Sequence, residues 1–347
     1  MINLNPHIEA TLENLNNAIK KFEKAWFDLE KLKTYINNKK FKKFVLLLGW
    51  WQISGSLSPF MHTYNSSFSQ DDKKFLYTLI NLEKKSIDLK DLLDYIENTP
   101  QILGANVTMP YKIEIFNILK QENKLDESAL LVWAVNTIVK KDGKIIGFNT
   151  DMEGIRKPLK EKINPKNIKN WYILGAWGAA QAWIAALLSL GITNIVIFNR
   201  SKKDQLIKHF TSKKVKHILK EKYGINEDIN IQLIQYNVAN NDKISPYIEE
   251  NGILINTLPF GFKENLPKKW ILNEEFEKIK NKLNLFFDVV YDMNKQDTPL
   301  LQNFKKENIA TCDGKDMVIN QAIKWFEEWT NWEKFKKEEI NKMFRNK

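Results

Sequence analysis

The sequence predicts an α/β protein with a doubly wound parallel sheet. Three observations carry this. First, Trp171–Leu174 is a short apolar run of strand character that Gly175 breaks; Gly178–Leu190 is rich in Ala and Leu with helical periodicity; Gly191 stops it, and Asn194–Phe198 is a second, β-branched run. Strand, glycine turn, helix and strand within about thirty residues make the βαβ unit of a dinucleotide-binding sheet. Second, Ile229–Ile234, Gly252–Thr257 and Leu285–Val290 are further short apolar runs separated by charged helical segments, which continue the sheet. Third, 347 residues suffice for two domains and a sizeable core. The turn itself reads Gly175-x-Trp177-x-x-Ala180. Glycines in such a turn let the main chain approach a pyrophosphate at the helix N-terminus, and Trp177 stands in the place of the second one.

Composition narrows the class. Hydrophobic residues make up 43% and charged residues 27%, as in a soluble globular protein. No apolar run reaches the roughly 18 residues of a membrane span. Met1–Lys20 has no signal-peptide hydrophobic stretch, and the single cysteine, Cys312, excludes an intrachain disulfide and suits a reducing cytoplasm. The net charge is +11, but the lysines are scattered and no basic block interleaves with aromatics. The charge therefore reads as a solvated Lys-rich surface that attracts anionic ligands rather than as a nucleic-acid site. A monomer or homodimer without membrane contact is expected, and no residue cluster suggests a metal.

Taken in order, the chain opens with Asn5-Pro6, an N-cap followed by proline at the first helical position. Ile8, Leu12, Leu15, Ile19, Phe22, Trp26 and Leu29 then form one narrow apolar seam, so residues 1–42 are expected to be a helical extension. Phe44–Leu48 reads as a strand, and Ser56-Leu57-Ser58-Pro59 after it sets two hydroxyls close together, either as a helix cap or as donors to a small anion. Gly104–Lys112 places Asn106, Thr108 and Lys112 around a proline-fixed turn. Trp133–Val139 and Gly147–Gly154 read as strand-like pieces on either side of a Lys140–Lys144 hairpin loop, with Asn136 and Asp151 at strand ends. Leu258–Gly261 would form a loop at the C-terminal edge of the sheet, where ligands bind in such folds. Asp313–Met317 leads into a helix from about Met317 carrying Gln321, Ile323, Phe326 and Trp329, and Lys334–Lys347 is a charged, frayed helix.

Five motifs, in order and at compatible spacing, resemble the shikimate dehydrogenase family with its quinate/shikimate relatives: S-G-S-L-S-P, G-A-N-V-T-M-P-Y-K, A-V-N-T with G-F-N-T-D, the glycine turn with its Asn-Arg-Ser, and D-G-K-D-M-V-I-N-Q-A. The resemblance runs from about Phe44 to Thr330. It implies a substrate-binding catalytic domain of residues 43–153 and 312–347 and a Rossmann-like NADP-binding domain of residues 154–311. It implies that Lys112 and Asp151 are the catalytic pair and that Ser56, Ser58, Thr108, Asn136, Tyr291 and Gln321 surround the substrate, shikimate or 3-dehydroshikimate. It implies that Gly175, Ala176, Trp177, Gly178, Ala179, Asn199, Arg200, Ser201, Lys202, Thr257 and Gly314 hold the cofactor. The chemistry suits the pair: reducing a ring ketone needs a hydride at carbon, supplied by the nicotinamide, and a proton at oxygen, which a lysine beside a carboxylate can deliver. Arg200 after the second strand suits a ribose 2′-phosphate, where NAD would call for an acidic residue. Asp204 departs from the second basic residue common there, and Lys202 or Lys203 takes its place.

Trp50, Trp133 and Trp177 stand where the family motifs carry glycine, and the chain has 11 Trp against only 13 Gly. That is about half the usual glycine content of about 7%. An indole at the second glycine of the turn fills space a pyrophosphate needs and tolerates positive φ poorly. Three explanations stand: lost nucleotide binding, a remodelled loop, or TGA codons that the organism reads as glycine, which alone accounts for all three sites and the glycine deficit. The expected function is NADP-dependent shikimate dehydrogenase in aromatic amino-acid biosynthesis; the alternatives are a quinate/shikimate dehydrogenase or a non-catalytic shikimate-binding relative.

Overall fold

The computed structural model describes residues 43–50, 58–66, 69, 74–82, 88–162, 168–258, 273–290, 297–331, 334–338 and 340. The expected helical extension of residues 1–42 and most of the expected tail helix lie outside the described residues. Two compact units emerge: residues through Thr150 with Ala322–Ile340, and Asp151–Gln321.

The first unit holds a five-stranded sheet of order β2-β1-β3-β4-β5. β1 (Phe44–Gly49) lies parallel to β2 (Leu76–Asn81) and β3 (Ile102–Val107), while β3 runs antiparallel to β4 (Thr137–Lys141). β4 and β5 (Lys144–Phe148) form a hairpin. Asp142 and Gly143 both have positive φ, which matches a type I′ turn and the twist of its strands. Every residue of β1 is buried, as a central strand covered on both faces requires. Helix α1 (Ser58–Ser66) leads into β2. In α2 (Leu89–Asn98) the Asp88 carboxylate caps the amides of Lys90 and Asp91, and Leu89, Leu92, Leu93 and Ile96 form the buried stripe. α3 (Lys112–Gln121) buries Ile115, Phe116 and Leu119. α4 (Glu127–Val132) is capped by Asp126 and ends at Trp133 in the left-handed region, φ 63 and ψ 34. Trp133 is thus a helix C-cap and not the strand residue its apolar surroundings suggest. Gly104 has no room for a side chain: a Cβ would lie 2.1 Å from the Ile138 carbonyl oxygen and 2.7 Å from Trp329 Nε1. That Nε1 donates to the same carbonyl at 3.1 Å.

The second unit holds six strands, all parallel, of order β8-β7-β6-β9-β10-β11. They are β6 (Asn170–Leu174), β7 (Asn194–Asn199), β8 (Asn230–Gln235), β9 (Gly252–Asn256), β10 (Leu283–Asp288) and β11 (Ala310–Asp313). The order is third, second, first, fourth, fifth, sixth, the doubly wound arrangement whose direction reverses between β6 and β9. The run expected at Leu285–Val290 is therefore displaced two residues toward the N-terminus. α5 (Asp151–Lys162) enters this unit, so Asp151 opens a helix rather than ending a strand. α6 (Gly178–Leu188) is buried continuously from Ala180 to Leu188, as expected of a helix apolar all round, and Trp183 packs edge-on against Phe287 at 4.6 Å. α7 (Asp204–Phe210) and α8 (Lys213–Tyr223) lie between β7 and β8, α9 (Asn273–Ile279) between β9 and β10, and α10 (Pro299–Lys306) between β10 and β11, while β8 and β9 are joined through short 3-10 turns. α11 (Lys315–Thr330) begins two residues before Met317 because the Asp313 carboxylate accepts from the Lys315 amide at 3.0 Å and starts the turn there.

Candidate active site

In the first unit, polar residues collect where β1 and β3 end. Ser58 is the first residue of α1, half-buried and hydrogen-bonded to Tyr77 of β2. The Tyr77 hydroxyl donates to Asn106 Oδ1 at 2.6 Å. Thr108 follows β3 directly, and its amide donates to the Leu48 carbonyl at 3.0 Å. Lys112, half-buried, opens α3, and its carbonyl accepts from the Val135 amide at 3.0 Å. That bond brings the lysine segment beside Asn136.

Asn136 is held on all sides. Its Oδ1 accepts from Thr137 Oγ1 at 2.8 Å and from the Thr150 amide at 2.9 Å, and its Nδ2 donates to Thr150 Oγ1 at 3.2 Å. Asn149 Nδ2 donates to the Ala134 carbonyl at 3.0 Å. These bonds tie the A-V-N-T and G-F-N-T segments into one buried polar body, as buried polar groups demand. Ser58, Thr108, Lys112 and Asn136 are thereby brought to one end of one sheet.

In the second unit, the turn after β6 sits at the switch point. Gly175 has φ +94, and a Cβ there would lie 2.7 Å from Thr257 Oγ1 and Leu258 Cδ2. Thr257 follows β9 and donates from both its amide and its hydroxyl to the Leu174 carbonyl, at 3.0 and 2.6 Å. Gly178 has open space where its Cβ would be, and Ala176 is buried while Ala179 is half-buried. Trp177 has φ −103 and is 63% exposed, so the positive φ expected to strain this indole falls on Gly175 instead. Lys203 Nζ lies 3.9 Å from the centre of the indole ring. The loop after β7 is braced by Asn199 Nδ2, which donates to the Ser201 carbonyl at 2.7 Å, and by Gln235 Nε2, which donates to the Arg200 carbonyl at 3.2 Å. Arg200, Ser201 and Lys202 are exposed.

This turn and loop fit a dinucleotide: the main chain is open, a helix N-terminus follows, and basic side chains are exposed at the end of the second strand. Gly314 lies after β11, separated from β6 by β10 and β9, and the structure does not bring it to the turn. Asp151 opens α5; one turn on, a Cβ at Gly154 would lie 2.7 Å from the Met317 carbonyl and 3.1 Å from Gln321 Cβ. Gln321 Oε1 is buried and, among the described residues, has no hydrogen-bond partner. Ser56 and Tyr291 lie outside the described residues.

Several residues were not singled out by sequence. Asp288 at the end of β10 accepts from Asn256 Nδ2 at 2.9 Å, the Val290 amide at 3.0 Å and Thr298 Oγ1 at 2.6 Å, and burial pushes its carboxyl up to about 6. Burial also holds the Tyr77 phenol well above its ordinary range and brings His62 down to about 3. Among the described residues, no group of three or more His, Cys, Asp or Glu could hold a metal ion, and no helix is long and apolar enough to cross a membrane.

The family model of the shikimate dehydrogenase substrate binding domain matches residues 51–138. A shikimate dehydrogenase (NADP(+)) of Methanocaldococcus jannaschii is 34% identical over 283 residues, which covers 81% of this chain and 89% of that protein. A shikimate dehydrogenase crystallised with NADP+ is 31% identical with a TM-score of 0.63, covering 87% of this chain and 96% of its own. Shikimate 5-dehydrogenase from Listeria monocytogenes, solved with shikimate and NAD, gives a TM-score of 0.67 at 28% identity and covers 88% and 98%.

Proposed function

The chain belongs to the shikimate dehydrogenase family, and from that premise we propose that Lys112 and Asp151 are the catalytic pair of an NADP-dependent reductase that interconverts 3-dehydroshikimate and shikimate in the cytoplasm. This is an oxidoreductase acting on a CH–OH group, a step of aromatic amino-acid biosynthesis. We assign residues 43–153 and 312–347 to substrate and residues 154–311 to NADP. The single observation that carries the reading is the buried body around Asn136, because it fixes Ser58, Thr108, Lys112 and Asn136 at one sheet end before any ligand arrives.

Gly175–Ala179 and Thr257 would hold the cofactor diphosphate, and Asn199–Lys202 its ribose phosphate. Bound NADP supplies the hydride chemistry. The protein's task is the proton and the geometry. Ser56 and Ser58 offer hydroxyls to the substrate carboxylate, and Thr108, Asn136 and Gln321 offer donors and acceptors to its ring oxygens. The unpartnered Gln321 Oε1 is an acceptor in search of a hydroxyl. Lys112, charged, steadies the alkoxide as it forms at the carbonyl oxygen. The Lys112–Asp151 pair supplies the proton that this oxygen takes up.

The test is an assay of purified protein with shikimate and NADP+, followed by the absorbance of NADPH, with quinate and NAD+ run in parallel. Turnover of shikimate with NADP+ preferred over NAD+ is the expected result. One observation favours a second reading, a shikimate-binding protein without turnover: the Trp177 indole in the cofactor turn. Shikimate binding without NADPH binding would put that reading first.

A further inference from the structure

Ser58 and His62 are four residues apart on α1, so they share a face, and both meet Tyr77. The His62 ring stacks on the Tyr77 ring with centroids 5.0 Å apart and 17° between planes. Trp325 and Trp329 close around His62 at 5.6 and 5.3 Å, and Phe335 at 6.3 Å. His62 is fully buried and, among the described residues, neither ring nitrogen has a hydrogen-bond partner, so it acts here as a neutral plate that fixes the phenol ring. A phenol has one proton, and Tyr77 gives it to Asn106 Oδ1. Ser58 therefore supplies the proton of the Ser58–Tyr77 bond. Asn106 Nδ2 faces the Asn136 carbonyl at 3.3 Å and Thr137 Oγ1 at 3.4 Å, and Thr137 Oγ1 donates to Asn136 Oδ1 at 2.8 Å. An unbroken relay, buried from Tyr77 onward, runs from Ser58 through Tyr77, Asn106 and Thr137 to Asn136.

We propose that Tyr77 is a positioning residue for the substrate carboxylate: its hydroxyl locks Ser58 to the Asn106–Asn136 body, so that the carboxylate end and the ring-hydroxyl end of the pocket are set as one piece. This rests on the assignment of Ser58 and Asn136 to substrate. Hydrogen-bonded networks of this kind act as units, and removing one member leaves a buried acceptor, here Asn106 Oδ1, unsatisfied.

The test is steady-state kinetics of Tyr77→Phe, which keeps the ring and its stack on His62 and removes only the hydroxyl. The expected result is a rise of about tenfold in KM for shikimate, with kcat within about threefold and KM for NADP+ unchanged. The carboxamide analogue of shikimate, which lacks the charged end, should change by no more than about twofold. In a Ser58→Ala background, Tyr77→Phe should add nothing, since the link is already cut. Thr137→Val cuts the relay at its other end and should raise KM for shikimate about threefold; it also serves if Tyr77→Phe does not fold. Unchanged KM in the folded variants, or equal losses for shikimate and the carboxamide, overturns the coupling. Wild-type protein inert toward shikimate overturns the reading on which the coupling rests, which is a distinct outcome.

Discussion

In the first unit, Tyr77, Asn106, Asn136, Thr137 and Thr150 are buried and bonded side chain to side chain. In the second, the Gly175 turn and the Arg200 loop are pinned through main-chain carbonyls, at Leu174, Ser201 and Arg200, and Trp177, Arg200 and Lys202 face solvent. The difference fits what the proposed function asks each to recognise. A small polyol is told apart by donors and acceptors placed on every side, which only a rigid, satisfied interior can supply. A diphosphate is gripped by main-chain amides and a helix end, and a phosphate by charged side chains that can be left in water. On that assignment, substitutions at Thr108, Lys112 and Asn136 should act on turnover and substrate, and those at the Gly175 turn and Arg200 on cofactor alone.

The sharpest test of that division is Lys112→Ala. It should lower kcat by about two orders of magnitude or more, the scale of a lost positioned proton donor, while NADPH affinity stays near wild type. A parallel loss of NADPH affinity, measured by fluorescence titration, would break the division. Arg200→Ala should raise KM for NADPH by about tenfold and leave NADH nearly unchanged, since only NADPH offers the phosphate that arginine pairs with. Equal losses for both cofactors would remove Arg200 from phosphate recognition. Trp177→Gly should tighten NADPH binding several-fold and shift stability by no more than about 0.5 kcal/mol, as expected of an exposed side chain. Weaker NADPH binding in this variant would mean that the indole serves the cofactor instead of crowding it. Trp133→Gly should have the smallest effect, a stability within about 1 kcal/mol of wild type by denaturant unfolding, because relief of the left-handed backbone offsets the lost packing. A loss on the scale of about 3–5 kcal/mol, usual for truncating a core tryptophan, would refute that balance.

What the sequence disclosed follows the same division. The glycine turn, its helix and five of the six strands of the second sheet are legible because main-chain recognition leaves a local signature, glycines at fixed offsets between apolar runs, whereas the short edge strand β11 carries none. Thr108, Lys112 and Asn136 were legible only through their motifs. Tyr77 was not singled out at all: within Leu76–Asn81 it reads as an ordinary strand residue, and its partner Asn106 is 29 positions away. Gly104 and Gly154 gave no local hint either, since the atoms that leave no room for a Cβ belong to Ile138, Trp329 and Met317. Trp133 reads as a strand residue because most of W-A-V-N-T-I-V is apolar or β-branched; the end of α4, not the periodicity, decides its backbone.

Trp133 also bears on how the gene is made into protein. A tryptophan in the left-handed region carries a backbone cost of about 1–2 kcal/mol that glycine escapes. Against a total stability of about 5–15 kcal/mol, that cost multiplies the unfolded fraction by roughly five to thirty wherever indole packing does not make it good. Where the gene is read with tryptophan at this codon, recombinant protein would then be triaged by proteases more heavily than the form carrying glycine. Soluble yield of the two forms, expressed side by side, is thus a readout of how far indole packing offsets that backbone cost, and it requires no substrate, no cofactor and no knowledge of the reaction.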